Sequence, residues 1–307
     1  MISCIVMGGL GNQLFQIYTT MALSMEMKTN FNFPANKIET DKRSDTYWDS
    51  FLKELNKNTS FIDIKKLQYP IYRENGFKYN KIQILPEVFR KNGSIMLYGY
   101  FQSHRYFEKE HKSISRYIGI NESRLEVENT YYKKYKNMNI ISMHFRMGDY
   151  KALQNCHPIL EDDYYINSIK FILHKMRNNK KWKVLYFCEE EDDIEVENRV
   201  EKINAVCKEY LEERKRENNR ENKYDQEIEF ERAVDKGTSL KDWQQLLLMS
   251  CCQHNIIANS SFSWWAAFFN ESRDKIVCYP ETWFGPQLAH HDTSDLCPKS
   301  WNKIKNI

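Results

Sequence analysis

The first 25 residues read MISCIVMGGLGNQLFQIYTTMALSM, Met1 to Met25, and they decide the fold class. Met1 to Met7 is apolar and strand-like, Gly8, Gly9 and Gly11 bracket a tight turn, and Asn12 is placed to cap a helix after it. Leu14, Ile17, Tyr18, Met21, Ala22 and Met25 then recur at helical spacing. A strand that passes through a glycine turn straight into a helix opens an α/β unit. The turn also presents bare backbone N–H groups at a helix N-terminus, where they can hold an anion or let a sugar approach, although a purely structural turn has the same composition. A dinucleotide fingerprint would need a small residue at Leu14 and an acid closing the next strand, but that strand ends TNFNFP, Thr29 to Pro34. A nicotinamide site is therefore disfavoured.

The same strand-turn-helix grammar returns in mid-chain. Ile140, Ile141 and Met143 form an apolar run that leads into HFRMGDY, His144 to Tyr150, where Gly148 demands a turn. Arg146 and Asp149 thus fall just past the C-terminal end of a strand, the usual place for ligand contacts in an open α/β sheet. An arginine fork suits a diphosphate, and a neighbouring carboxylate can orient that fork; an Arg/Asp pair that merely closes a loop would look the same. His144, at the strand end, suits packing as well as ligand contact. Further on, a strand at Asn255 to Ala258 precedes SSFSWWAAFFN, Ser260 to Asn270. Ser260, Ser261 and Ser263 bring hydroxyls to a helix start, fit for phosphate or for capping alone. The acids Glu189 to Asp193 come after a strand at Val184 to Phe187; a guanine edge, a metal or plain solvent would each suit them.

Between Phe33 and Asn137 the signal is too mixed to order the elements. From Glu189 to about Lys236 mixed-sign charge dominates, which reads as a solvated helix or a loop insertion.

With 307 residues the chain can form two α/β units of ordinary size. Its 45 basic and 42 acidic residues leave a formal charge of +3, too even for a nucleic-acid footprint and better matched to a small anion. A hydrophobic fraction of 41% excludes a disordered chain. The eight cysteines show no CxxC spacing and are expected to be reduced and mostly buried, and neither Cys251, Cys252 and His254 nor the His290, His291 and Asp292 run makes a full zinc set. No stretch of about 18 apolar residues occurs and no basic leader precedes the first strand, so a soluble, cytoplasmic chain is expected.

The segments GGLGNQLFQ (Gly8 to Gln16), GYFQS (Gly99 to Ser103), HFRMGDY, DDYY (Asp162 to Tyr165) and LMSCCQHNIIANSSFSWWAAFFN (Leu248 to Asn270) together resemble glycosyltransferase family 11, the α-1,2-fucosyltransferases, almost end to end. HFRMGDY is similar to the HxRxGD motif of the wider fucosyltransferase superfamily. The resemblance implies an α/β protein of GT-B type, with two Rossmann-like domains facing across a cleft. These would be an acceptor-side domain over 1–137, a GDP-fucose-binding domain over 138–286 with a charged insertion near 208–236, and a tail over 287–307. It implies inverting transfer from GDP-fucose to a sugar hydroxyl, α-1,2 to a terminal β-galactoside, with no cofactor and no obligatory metal. The expected partners are GDP-fucose and a glycan, without nucleic acid or membrane span. Carried over residue by residue, the catalytic set is Arg146, Asn12 and Asp149. The donor contacts are Gly9, Gly11, Gln13, His144, Glu189, Glu190, Ser260, Ser261, Phe262 and Ser263.

Besides the charged insertion, two motifs depart from the family pattern. Cys188, Glu189 and Glu190 stand where relatives carry Ser-Asp-Asp, or Asp192 and Asp193 do after a shift, and Met147 replaces a common second arginine. Two alternatives stay open: another fucosyl linkage, α-1,6 or protein O-fucosylation, and a non-catalytic module that binds the nucleotide sugar.

Overall fold

The computed structural model describes residues 1–35, 46–61, 69–176, 180–217, 226–234 and 240–305. The chain forms two compact units, Met1–Leu125 with His291–Pro298, and Glu126–His290 with Lys299–Ile307. Each holds a parallel sheet with helical connections, the α/β class expected from the sequence.

The first unit runs β1 (Ile2–Cys4), α1 (Leu10–Glu26), β2 (Phe31–Pro34), β3 (Thr59–Ser60), β4 (Ile71–Arg73), α2 (Pro86–Asn92), β5 (Ile95–Tyr98) and α3 (His111–Tyr117), and α4 (Ile120–Val127) leads out of it. The strand order is β3-β2-β1-β5-β4, with parallel pairing throughout. Leu14, Phe15, Ile17, Tyr18 and Met21 of α1 are fully buried, and so are its polar residues Gln13, Gln16 and Thr20. A helix buried on every side must satisfy such groups internally. Gln16 does so by closing its amide on the N–H and C=O of Met7 at 2.9 and 3.0 Å, while the Thr20 hydroxyl donates to the Gln16 carbonyl at 2.7 Å.

The start of α1 differs from expectation. Gly8 takes the left-handed φ of +78° and Gly9 is the N-cap, so the helix begins before Asn12. Asn12 lies in the first turn and does not cap; its Oδ1 accepts instead from Gln102 Nε2 at 2.8 Å.

The second unit runs β6 (Asn139–His144), α5 (Asp162–Lys175), β7 (Lys181–Phe187), α6 (Asp193–Glu217), β8 (Glu227–Arg232), α7 (Asp242–Ser250), β9 (His254–Ile256), α8 (Ser261–Phe269), β10 (Val277–Pro280) and β11 (Asn302–Ile304). Its order is β11-β10-β9-β6-β7-β8, again parallel. The chain therefore starts in the middle with β6, builds outward through β7 and β8, and returns to the other side of β6 as β9. This is the doubly wound order of a Rossmann-like sheet.

Over its described part the charged stretch after β7 includes α6, a helix with one buried face rather than one solvated all round. Val196, Val200, Ile203, Cys207 and Leu211 of α6 form one buried stripe in the core shared with β6, β7 and α5. Those positions recur at helical spacing, and the surrounding charge hid them. After α6 the chain supplies β8, an edge strand whose Glu229 and Glu231 pair with Lys181 and Lys183 of β7. Residues 218–225 and 235–239 of that stretch lie outside the described residues. All eight cysteines are free, and five of them are buried.

His254 of β9 is neutral: burial first, and the Lys180 charge second, push its pKa down to about 4, and its Nδ1 accepts the Ile276 N–H at 3.0 Å.

Two measurements check this packing. Ile203→Ala should lower the unfolding free energy by about 2–5 kcal/mol in urea titrations, because it opens a cavity in the core, whereas a solvated helix would lose less than about 0.5 kcal/mol. For His254 the folded pKa lies below the unfolded value, so its stabilisation is complete above about pH 6.5 and declines as pH falls toward about 4. His254→Gln should flatten that part of the urea-midpoint profile; an unchanged slope would show that His254 is not responsible.

Candidate donor site

In a doubly wound sheet, connections leave neighbouring central strands in opposite directions where the order reverses, and a crevice opens outside their carboxyl ends. In the second unit those strands are β6 and β9. HFRMGDY leaves the end of β6 and NSSFSWW leaves the end of β9, so the two motifs picked out in the sequence flank one position. The Tyr150 hydroxyl donates to the Asn259 carbonyl at 3.2 Å, and the His144 and Phe262 rings lie 5.6 Å apart.

Arg146 is the charged centre of this position. Its Nη2 pairs with Asp149 and its Nη1 with Glu189. Its guanidinium lies over the Tyr150 ring at 4.8 Å, and Tyr150 stacks on His157, also at 4.8 Å. Arg146 and Asp149 are half-buried at 16% and 24% side-chain exposure, while Glu189 is open at 51%. Asp149 therefore holds the fork from the protein side, and Glu189 is the partner most easily exchanged for another anion. Gly148, at φ +37°, gives the turn its left-handed step. Glu190 is exposed at the start of the short helical turn Glu190–Asp192.

His144 is 7% exposed, and its Nδ1 has no hydrogen-bond partner among the described residues. Burial, reinforced by the Arg146 charge, pushes its pKa down to about 3. It is thus a neutral ring packed behind the arginine.

At the start of α8, Ser260 is the N-cap and its Oγ accepts the Phe262 N–H at 3.3 Å. Ser263 is fully buried; its Oγ accepts the Ala258 N–H at 3.2 Å and donates to the Ser260 carbonyl at 3.4 Å. The three serines are therefore not equivalent. Ser260 and Ser263 shape the turn, while Ser261 and Phe262 are only partly buried beside it.

The remaining candidates belong to the first unit. Gly9 is the N-cap of α1, with open space where a Cβ would sit, and Gly11 is buried one residue into the helix. Gln13 is fully buried and donates to the Gly8 carbonyl at 2.9 Å, which braces the turn. The turn lies outside the end of β1, and its neighbour β5 delivers GYFQS, whose Gln102 holds Asn12.

Sequence reasoning did not single out Tyr150, His157 or Lys151, and it offered Asp192 only as a shifted alternative to Glu189 and Glu190. Tyr150 stood inside a quoted motif, yet its ring-on-guanidinium role needs the folded turn. A cavity of about 590 Å³ elsewhere in the second unit, lined by Tyr131, Lys133, Lys134, Val234 and Leu240, contains none of the candidate residues. Among the described residues no group of three or more His, Cys, Asp or Glu is placed to hold a metal, and no helix is long and apolar enough to cross a membrane.

Known proteins agree with the motifs. The profile of the family described as Glycosyl transferase family 11 matches residues 218–305. The chain is 29% identical to an alpha-1,2-colitosyltransferase of Escherichia coli, covering 97% of each sequence. It is 27% identical to the O-antigen biosynthesis glycosyltransferase WbnK of Escherichia coli, covering 98% of this chain and 99% of that one. Among solved structures, a variant of Arabidopsis thaliana FUT1 in complex with GDP aligns at a TM-score of 0.48 with 11% identity, over 98% of this chain and 75% of that one. The profile and the two end-to-end sequence relatives agree with the resemblance carried by GGLGNQLFQ, HFRMGDY and SSFSWW: the chain is a glycosyltransferase similar to those of family 11.

Proposed function

We propose that this glycosyltransferase takes fucose from GDP-fucose and attaches it, with inversion, to a sugar hydroxyl, α-1,2 on a terminal β-galactoside. The observation that carries the reading is Arg146, a half-buried guanidinium at the order reversal of the second sheet, oriented by Asp149 and Tyr150. In the reaction the acceptor oxygen bonds to fucose C1 from the face opposite the diphosphate. The C1–O bond breaks with its electron pair going to the phosphate oxygen, and the acceptor hydroxyl releases its proton. Negative charge therefore grows on the departing phosphate, where a fixed guanidinium stabilises the transition state more than the bound donor.

In this scheme the diphosphate exchanges for Glu189 on Arg146, and Asp149 keeps the fork aimed. Ser261, Phe262 and the first amides of α8 face the phosphates, on a turn built by Ser260 and Ser263. Asn12, carried on the Gly9–Gly11 turn braced by Gln13, is assigned to the sugar ring or the bridging oxygen. His144 is uncharged at working pH and packs behind the arginine. We further propose that no metal is needed, since the guanidinium supplies the positive charge. A colitose donor is the second reading, favoured by the α-1,2-colitosyltransferase that aligns end to end.

The experiment is GDP release from GDP-fucose over a panel of galactosides with EDTA present, followed by linkage analysis of the product. Acceptor-dependent release is expected. Binding of the donor without release on any acceptor would favour the non-catalytic module, and turnover only with a colitose donor would favour the second reading. Arg146→Ala, checked for folding by circular dichroism, should lose about 100- to 1,000-fold in kcat; near-normal turnover would remove Arg146 from the leaving group.

Glu189→Gln supplies a test of opposite sign. If the carboxylate competes with the diphosphate for Nη1, the variant should bind GDP about fivefold more tightly by calorimetry, as expected for about 1 kcal/mol from one partly exposed charge. Weaker binding would instead mean that Glu189 contacts the nucleotide directly.

A further inference from the structure

The acidic stretch after β7 is divided among three tasks: Glu189 pairs with Arg146, Asp193 pairs with Arg232 at 2.5 Å, and Asp192 turns inward. Asp192 is only 3% exposed, although its neighbours Glu190 and Glu191 face solvent. Its Oδ2 accepts the Gly148 N–H at 2.7 Å, and its Oδ1 pairs with Lys151 Nζ, also at 2.7 Å. Both contacts lie in the turn that carries Arg146. Lys151 reaches Glu195 as well, at 2.8 Å, and its ammonium is held above the usual lysine range by Asp192 first and Glu195 second.

A buried carboxylate is retained only where its oxygens are occupied, and here both are occupied by one short loop. That loop includes Gly148 at φ +37°, a left-handed state that glycine adopts without a Cβ penalty but shares with many others, so a partner is needed to select it. Gly148 is two residues after Arg146 and one before Asp149, so the peptide that Asp192 grips sets the spacing of the arginine from its orienting acid.

We propose that Asp192 is the positioning residue of the donor site: through the Gly148 N–H it fixes the turn that aims Arg146 at the departing phosphate. This rests on the leaving-group role proposed for Arg146. Asp192 itself touches neither donor nor acceptor, and Lys151 neutralises its charge without supplying the alignment. A misplacement of about 1 Å in a catalytic group costs about 100-fold in rate, the scale expected when the grip is lost.

The test is a double-mutant cycle on the full chain, with GDP-fucose and the best galactoside of the panel. Asp192→Ala should lower kcat about 100-fold while the acceptor KM stays within about twofold. The double variant with Arg146→Ala should be no slower than Arg146→Ala alone, because Asp192 acts through the arginine. Asp192→Asn keeps an acceptor for Gly148 and should recover most of the rate, which also covers the case in which the alanine variant fails to fold. Lys151→Met should cost less than about threefold, since the Gly148 bond remains. Multiplicative losses in the double variant, or normal turnover in Asp192→Ala, would overturn the proposal and leave the Arg146 reading intact. Normal turnover in Arg146→Ala would sink both.

Discussion

A parallel sheet cannot be closed by hairpins, and this constraint governs the rest of the molecule. Each strand must be followed by a crossover, usually a helix, before the next parallel strand can pair. In the second unit the chain lays β6 first, adds β7 and β8 on one side, and then places β9 on the other side of β6. The connections leaving β6 and β9 consequently diverge, and the space between them lacks a covering crossover. The charged and hydroxyl-bearing motifs stand on the two rims of that space. The first unit repeats the device, with the β1 exit beside the β5 exit and Asn12 beside Gln102.

Around this opening the protein concentrates charge that it then has to manage. A guanidinium at 16% exposure is costly to desolvate alone, so it is partnered by Asp149, Glu189 and the face of Tyr150. The supporting layer is equally occupied. Arg199 of α6 reaches from the core to Asp162 and to the Leu160 carbonyl at 2.5 Å each, and its guanidinium lies 5.3 Å from the Phe145 ring. It thereby ties the start of α5 to the segment leaving β6. Buried polar groups of this kind favour one arrangement, because half-made contacts in a dry interior are expensive.

Much of this is legible in the order of residues. The strand, glycine turn and helix at the N-terminus, the apolar run before HFRMGDY and the serine-led α8 each obey local rules, and each is where the sequence puts it. The stripe Val196, Val200, Ile203, Cys207 and Leu211 obeys the helical period too, but the charge around it draws attention to solvent. Asn12 reads as a cap because one glycine pattern admits several helix starts. Only the left-handed Gly8 and extended Gly9 fix the true one.

The sequence by itself determined the class of the motif-bearing segments, the positions where their strands end, and the residue types available there, because these depend on periodicity and turn chemistry within a few residues. Tertiary structure alone decided which strand ends lie together, and so which of the marked residues share a site. It separated Ser263, turned into the core, from Ser261 at the surface, and Asp192, locked onto a neighbouring turn, from Glu190 in solvent. The physical reason is that such contacts join residues far apart in the chain, 44 positions in the case of Gly148 and Asp192. Their geometry is fixed by sheet order and burial, which no local pattern encodes.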